Sequence, residues 1–247
     1  VSVSKADRLE RALEASWPAP DYAEAGAFRV GRAGADPALG AAALRSRDAA
    51  WQDEDLQRAF DLHASWQQPP IFRLADDADP ALVAALTQRG LQPAREMRML
   101  AVGIDRLTTQ PVPRVTSFAV WPPLAIQRDL WAEMGLDAAR QAIMDRVALP
   151  KSAILGRTDD RAAGVAFVAA SDGLAVLHAL EIVPSLRRQG LAGWMMREAG
   201  FWATAQGCDR LCLAVAADNA AAIALYRKLE FQDAGGFRYF APPGTRL

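Results

Sequence analysis

Apolar residues along this chain switch between a spacing of three to four and a spacing of two or less, and the switches mark its elements. VSVSKADRLERALEASW at the start has helical spacing, FRVGR at 28–32 predicts a short strand, and DEDLQRAFDLHASWQ at 53–67 predicts a helix through Leu56, Ala59, Phe60, His63 and Ala64, stopped by Pro69 and Pro70. IFRLA at 71–75 is a strand. DPALVAALTQRG at 79–90 is a helix with Asp79 as N-cap, Pro80 at N1 and Gly90 at its end, and REMRMLAVG at 95–103 is another strand. TTQPVPR at 108–114 gathers two prolines and small polar residues, which predicts a boundary between a domain at 1–110 and one at 114–247.

Beyond that boundary VTSFAV (115–120) is a strand, followed by helices near 123–134 and 137–148 that Gly135 divides and Pro150 ends. SAILGR (152–157), AAGVAFVAA (162–170) and LAVLHALEIV (174–183), joined by TDDR and SDG, are written as an antiparallel meander. The period then changes to helix (189–206), strand (210–215), helix (219–229) and strand (236–240). The fold class is therefore α/β, with a mixed, largely antiparallel central sheet flanked by helices.

Composition narrows the function classes. With 28 basic against 29 acidic residues among 247, nothing favours a nucleic-acid or anionic-membrane partner. No apolar run approaches the roughly 18 residues that span a bilayer, and the first helix is polar and amphipathic rather than a signal segment, so a soluble cytoplasmic protein is expected. The two cysteines, Cys208 and Cys212, and the two histidines, His63 and His178, form no metal-ligand spacing, so no metal is expected.

The strongest chemical signal lies where a strand passes into a helix, in EIVPSLRRQGLAGW. Arg187, Gly190 and Ala192 there satisfy R/Q-x-x-G-x-G/A. A glycine turn feeding a helix N-terminus leaves backbone N–H groups unpaired and pointing one way, with the positive end of the macrodipole behind them, and such a site attracts phosphate. Arg187 and Arg188 add positive charge at the same place.

This loop, together with the order of elements over 114–240, resembles the GCN5-related N-acetyltransferase (GNAT) superfamily. The resemblance implies an acyl-CoA N-acyltransferase fold and acetyl-CoA as co-substrate, with its pyrophosphate on the amides of Arg188, Gln189, Gly190, Leu191 and Ala192. The strand ending Glu181, Ile182 and Val183 would pair with the pantetheine arm. A second block, N-x-x-A-x-x-L-Y, matches Asn219, Ala222, Leu225 and Tyr226. By family resemblance Asn219 sits near the cofactor and Tyr226 at the thioester sulfur, as general acid for the CoA thiolate.

An amine is protonated at pH 7 and must lose a proton before it attacks, so a base is expected. His178 is the candidate, because LHALEIV is similar to a segment that carries a base histidine in arylalkylamine N-acetyltransferases. Glu181 is the competitor, and strand alternation puts it on the face opposite His178. Val176 stands where those enzymes have a second histidine and where histone-type members have a glutamate. Ala214 stands where protein N-terminal alanine acetylases have one. Leu229, Glu230 and Phe231 replace the usual L-G-F. Neither cysteine has a neighbouring base, so direct transfer without an acyl-enzyme is expected.

The first 110 residues carry neither motif and look like a degenerate GNAT repeat of the tandem type. Trp121, Trp131 and Met134 would lie nearest the acceptor. The expected activity is acetyl transfer from acetyl-CoA to a primary amine of a small-molecule acceptor, by a monomer or homodimer. The alternatives are a non-catalytic acyl-CoA sensor or scaffold and a mycothiol-synthase-like acyltransferase.

Overall fold

The computed structural model describes residues 5–32, 43–45, 50–245 and 247. In chain order the elements are α1 (Lys5–Ser16), β1 (Asp21–Ala25), β2 (Phe28–Arg32), β3 (Ala43–Arg45), α2 (Asp53–Ser65), β4 (Phe72–Ala75), α3 (Pro80–Gln88), β5 (Gln92–Gly103), α4 (Ile104–Leu107) and β6 (Ser117–Val120). There follow α5 (Ala125–Glu133), α6 (Ala138–Arg146), β7 (Lys151–Thr158), β8 (Arg161–Ser171), β9 (Leu174–Ile182), a 3₁₀ turn (Pro184–Leu186), α7 (Leu191–Ala205), β10 (Arg210–Ala216), α8 (Ala220–Lys228) and β11 (Gln232–Ala241).

The described chain forms two compact units, neither of them a single run of sequence. One holds the described residues up to Trp17 with Met99–Val215 and Asn219–Ala234; the other holds Pro18–Arg98, Ala216–Asp218 and Gly235–Leu247. A cut at 110–114 differs from this division. α1 buries Leu9, Ala12 and Leu13 and packs on β8 and β9, and α4 packs on α7, so both belong with the later elements.

In the first unit the strand order is β5-β10-β9-β8-β7-β6. The pairs β6–β7, β7–β8 and β8–β9 are antiparallel and β9–β10 is parallel. β8 is buried without interruption from Ala163 to Ala170, as a strand must be when both sheet faces are covered. On one face α7 sets Leu191, Met195, Met196 and Ala199 against Ile154, Ala166, Val168 and Leu177. A Cβ at Gly200 would lie 2.8 Å from Leu107 Cβ, so the missing side chain lets α7 and α4 approach. On the other face Leu130 and Trp131 of α5 pack with Val165, Phe167 and Ala169. α6 ends on Lys151, whose Nζ donates to the carbonyls of Met144, Asp145 and Val147 at 2.9, 2.8 and 2.6 Å.

In the second unit the order is β1-β2-β3-β4-β11, antiparallel except for β3–β4. Phe28, Val30, Leu56, Ala59, Phe72, Leu82, Leu86 and Phe240 form its core. His63 is buried there with Nδ1 2.9 Å from Gln68 Nε2, and desolvation lowers its pKa to about 4.

The predicted elements are present with shifted ends; residues 1–4 of the first helix prediction lie outside the described residues. Four elements lack a sequence signal: β1, whose residues are largely exposed or half-buried, the three-residue strand β3, and the one-turn elements α4 and Pro184–Leu186. Among the described residues no helix is long and apolar enough to cross a membrane, and no group of three or more His, Cys, Asp or Glu is placed to hold a metal ion.

Candidate active site

The site begins with a fault in β9. Its parallel pairing to β10 runs from Leu174↔Arg210 to Leu177↔Leu213. On its other edge Phe167 pairs with His178 but Val165 pairs with Glu181, so β9 carries one residue more than β8 over that stretch. Ala179 takes up the extra length with φ +50°. The left-handed region costs a residue with a Cβ about 1–2 kcal/mol. Opposing that cost, the fully buried Trp131 donates its indole N–H to the Ala179 carbonyl at 3.0 Å, and such a bond contributes about 0.5–1.5 kcal/mol.

The bulge overturns one expectation. Simple alternation puts His178 and Glu181 on opposite faces. Because Phe167 and Val165 share a face, their partners His178 and Glu181 share it too.

After β9 the chain turns at Pro184–Leu186, passes through Arg188 with φ +70° and Gly190 with φ +85°, and enters α7. A Cβ at Gly190 would meet nothing within 4 Å, so glycine serves this position through its φ and not through space. The Gly190 carbonyl accepts from Gly193 N at 3.0 Å and Trp194 N at 3.4 Å, which leaves the N–H groups of Leu191 and Ala192 ahead of the first helical bonds. Arg187 is less free than its motif position implies: its Nε donates to Ile182 O at 2.9 Å and its Nη2 lies 3.7 Å from Glu181 Oε2.

α8 closes the site from the other side. Asn219 caps it, its Oδ1 accepting from Ala222 N at 3.1 Å. Tyr226 is 7% exposed, 5.5 Å from the Phe231 ring, and desolvation followed by the charge of Glu181 pushes its pKa up to about 12. The helix ends without its usual glycine, and Glu230 takes φ +64° instead.

These parts enclose a cleft of about 660 Å³, within the range of small-molecule sites. Glu181, Ile182, Arg187, Arg188, Gly190, Leu191, Ala192, Asn219 and Tyr226 all line it; His178, Val183 and Gln189 are not among its lining residues. Leu180, Ala221, Ala224 and Lys228 line it as well, although no sequence motif marked them. For Ala221 and Ala224 the AAAIA run beginning at Ala220 is the trace in the sequence, since small side chains on a helix face leave room for a ligand; Leu180 and Lys228 have none. Desolvation raises the Glu181 pKa and Arg187 partly restrains it, as expected for a half-buried carboxylate in a cleft.

His178 is a packed histidine. Its Nε2 lies 2.7 Å from Ser16 Oγ, and its ring is 5.0 Å from Trp17 and 6.3 Å from Phe167. Ser16 Oγ also lies 3.1 Å from Leu13 O, so the imidazole and this carbonyl share one hydroxyl. Although part of the residue reaches the surface, the ring is desolvated enough for its pKa to fall to about 3. Trp121, half-buried, packs 5.9 Å from Phe167 and under the Lys151 ammonium, and Met134 joins the same cluster. Burial raises the thiol pKa of Cys208, and that of Cys212 to about 12, which leaves neither a ready nucleophile.

Known proteins resemble this chain in sequence and in fold. The family model described as the acetyltransferase (GNAT) family matches residues 122–231. A mycothiol acetyltransferase of Clavibacter michiganensis subsp. michiganensis is 29% identical over 184 residues, covering 67% of this chain and 60% of that protein, so the chain spans well under two thirds of that relative. Among solved structures, a GCN5-related N-acetyltransferase from Kribbella flavida superimposes with a TM-score of 0.69 at 20% identity, over 98% of this chain and 95% of that one. A tandem GNAT protein from the clavulanic acid biosynthesis pathway gives 0.63 at 13% identity, over 90% and 80%. Both likenesses are of fold. Residues 122–231, a little under half of the chain, contain every residue that lines the cleft, and over that stretch the chain matches the model of the GNAT acetyltransferase family.

Proposed function

We propose that the chain transfers an acetyl group from acetyl-CoA to a primary amine of a small-molecule acceptor by direct attack. The observation that carries this reading is one cleft lined by two unlike sets of groups. One set is the N–H groups of Leu191 and Ala192 with Arg188; the other is Glu181 and Tyr226, and Arg187 lies between them, its Nη2 3.7 Å from Glu181 Oε2. The first suits a pyrophosphate, and the apolar walls of Leu180, Ile182 and Leu225 suit the pantetheine arm.

In the reaction Glu181, and not His178, takes a proton from the acceptor ammonium. The freed amine forms a C–N bond at the acetyl carbonyl as the C–S bond breaks. Tyr226, still protonated at any working pH, hydrogen-bonds the departing sulfur and passes it a proton, which the amide nitrogen's surplus proton replaces. His178 stays neutral and out of the cleft.

The relative from Clavibacter favours an aminosugar thiol conjugate as one acceptor to try. The fold likeness to a tandem GNAT protein supports reading the unit built on Pro18–Arg98 as a degenerate copy. Calorimetric titration with acetyl-CoA and CoA, followed by an amine screen with thiol-release detection, tests the function. Micromolar binding at one site with amine-dependent thiol release is expected. Binding without turnover would leave an acyl-CoA sensor, and no binding would overturn the reading.

A further inference from the structure

The bulge in β9 turns Leu180–Ile182 toward the cleft at the point where pairing with β10 has stopped, so the backbone of this segment, apart from the Ile182 carbonyl that accepts from Arg187, is available to a ligand. What holds the bulge in place is on the far side of the sheet from α7. The Ala179 carbonyl accepts the Trp131 indole N–H at 3.0 Å, and Trp131, fully buried on α5, is not a lining residue of the cleft. A β-bulge forfeits ladder hydrogen bonds, and a buried carbonyl without a partner is costly, so an unattached Ala179 would favour the regular strand. In the regular strand every side chain beyond the slip changes face. Glu181 would then leave the side it shares with His178.

We propose that Trp131 is a positioning residue for the acyl-pantetheine arm: through its N–H bond to Ala179 it fixes the bulge, and the bulge sets the Leu180–Ile182 backbone and the Glu181 carboxylate. This rests on the acetyl-CoA reading above. The amides of Leu191 and Ala192 in the phosphate loop have their own support in the first turn of α7, while Arg187 joins the loop to β9 through the Ile182 carbonyl, so loss of the indole N–H acts most directly on Leu180–Ile182.

The test compares two probes, acetyl-CoA and its pantetheine-free fragment 3′-phosphoadenosine 5′-diphosphate, by calorimetry on the full chain and on Trp131→Phe. The expected result is a fivefold or greater loss of acetyl-CoA affinity with the fragment's affinity within twofold. Equal weakening of both probes indicates general loosening and overturns the proposal, as does no change in either. If Trp131→Phe does not fold, benzothienylalanine at 131 keeps the ring shape without the N–H, and the same criteria apply to it. In addition, Ala179→Gly placed in the Trp131→Phe background should recover part of the acetyl-CoA affinity, because glycine adopts the left-handed bulge conformation without a Cβ penalty. Further loss would count against the proposal. Failure of the unsubstituted protein to bind either probe would instead overturn the acetyl-CoA reading, and this inference with it.

Discussion

The Arg187 guanidinium lies 3.7 Å from the Glu181 carboxylate while its Nε donates to the Ile182 carbonyl, so one side chain ties the phosphate loop to β9 and also restrains the proton affinity of the carboxylate in the cleft. If Glu181 accepts the amine proton it must be ionised, and activity is lost as pH falls through its raised pKa. Glu181→Gln should lower kcat by about 100-fold and abolish that acid limb. Arg187→Ala removes the restraint, so the limb should move to higher pH. A limb unmoved in Arg187→Ala, measured as kcat/KM against pH, would count against Glu181 as the base.

Tyr226→Phe keeps the ring contact with Phe231 and removes only the hydroxyl. Turnover should fall by about 100-fold or more, with CoA affinity within about twofold. Because burial raises the phenol pKa to about 12, the native rate profile should show no alkaline limb from this group below about pH 11. Unchanged turnover in the variant would remove Tyr226 from the mechanism.

Both histidines are held neutral, and their effect belongs to stability. A histidine with a depressed folded pKa contributes stability that is complete above its free value of 6.5 and is lost as pH falls toward the folded value. For His63 the window is about pH 6.5 to 4, at about 1.4 kcal/mol per pH unit. Urea unfolding at pH 7, 6 and 5 should show the decline, and His63→Phe should reduce its slope, leaving the part due to His178. His178→Ala should lower stability through lost packing and leave the pH dependence of kcat/KM unchanged; a changed profile would restore it as a base.

Glu230 occupies the left-handed position that ends α8, with an exposed side chain 3.5 Å from Arg106. A surface ion pair of this kind contributes little, whereas glycine relieves the backbone cost. Glu230→Gly should stabilise the protein by about 1 kcal/mol, seen as a higher Tm with kcat unchanged.

What the sequence disclosed and what it withheld follow from range. Gly190, Asn219 and Tyr226 announce themselves because a helix N-terminus, a cap and a helix stripe are local, and the short turns TDDR and SDG between three apolar runs give the meander. The bulge at Ala179 could not be read this way: a period of two assumes its own continuity, and the residue that breaks it is an alanine whose partner, Trp131, lies 48 positions away. The misplacement of Glu181 relative to His178 follows from that single slip. The role of His178 was hidden for a similar reason, since Ser16 lies 162 residues from it. The membership of α1 in the later unit rests on the same long-range packing.

The three carbonyls around Lys151 Nζ have a practical corollary. The chain contains three lysines, Lys5, Lys151 and Lys228. An ammonium engaged by three acceptors is a poor target for amine-reactive reagents, whereas Lys228 lines the cleft. Acylating labels read by peptide mass should therefore mark Lys228 far more than Lys151, and shielding of Lys228 by a bound nucleotide would turn a nearly lysine-free surface into a direct footprint of cleft occupancy.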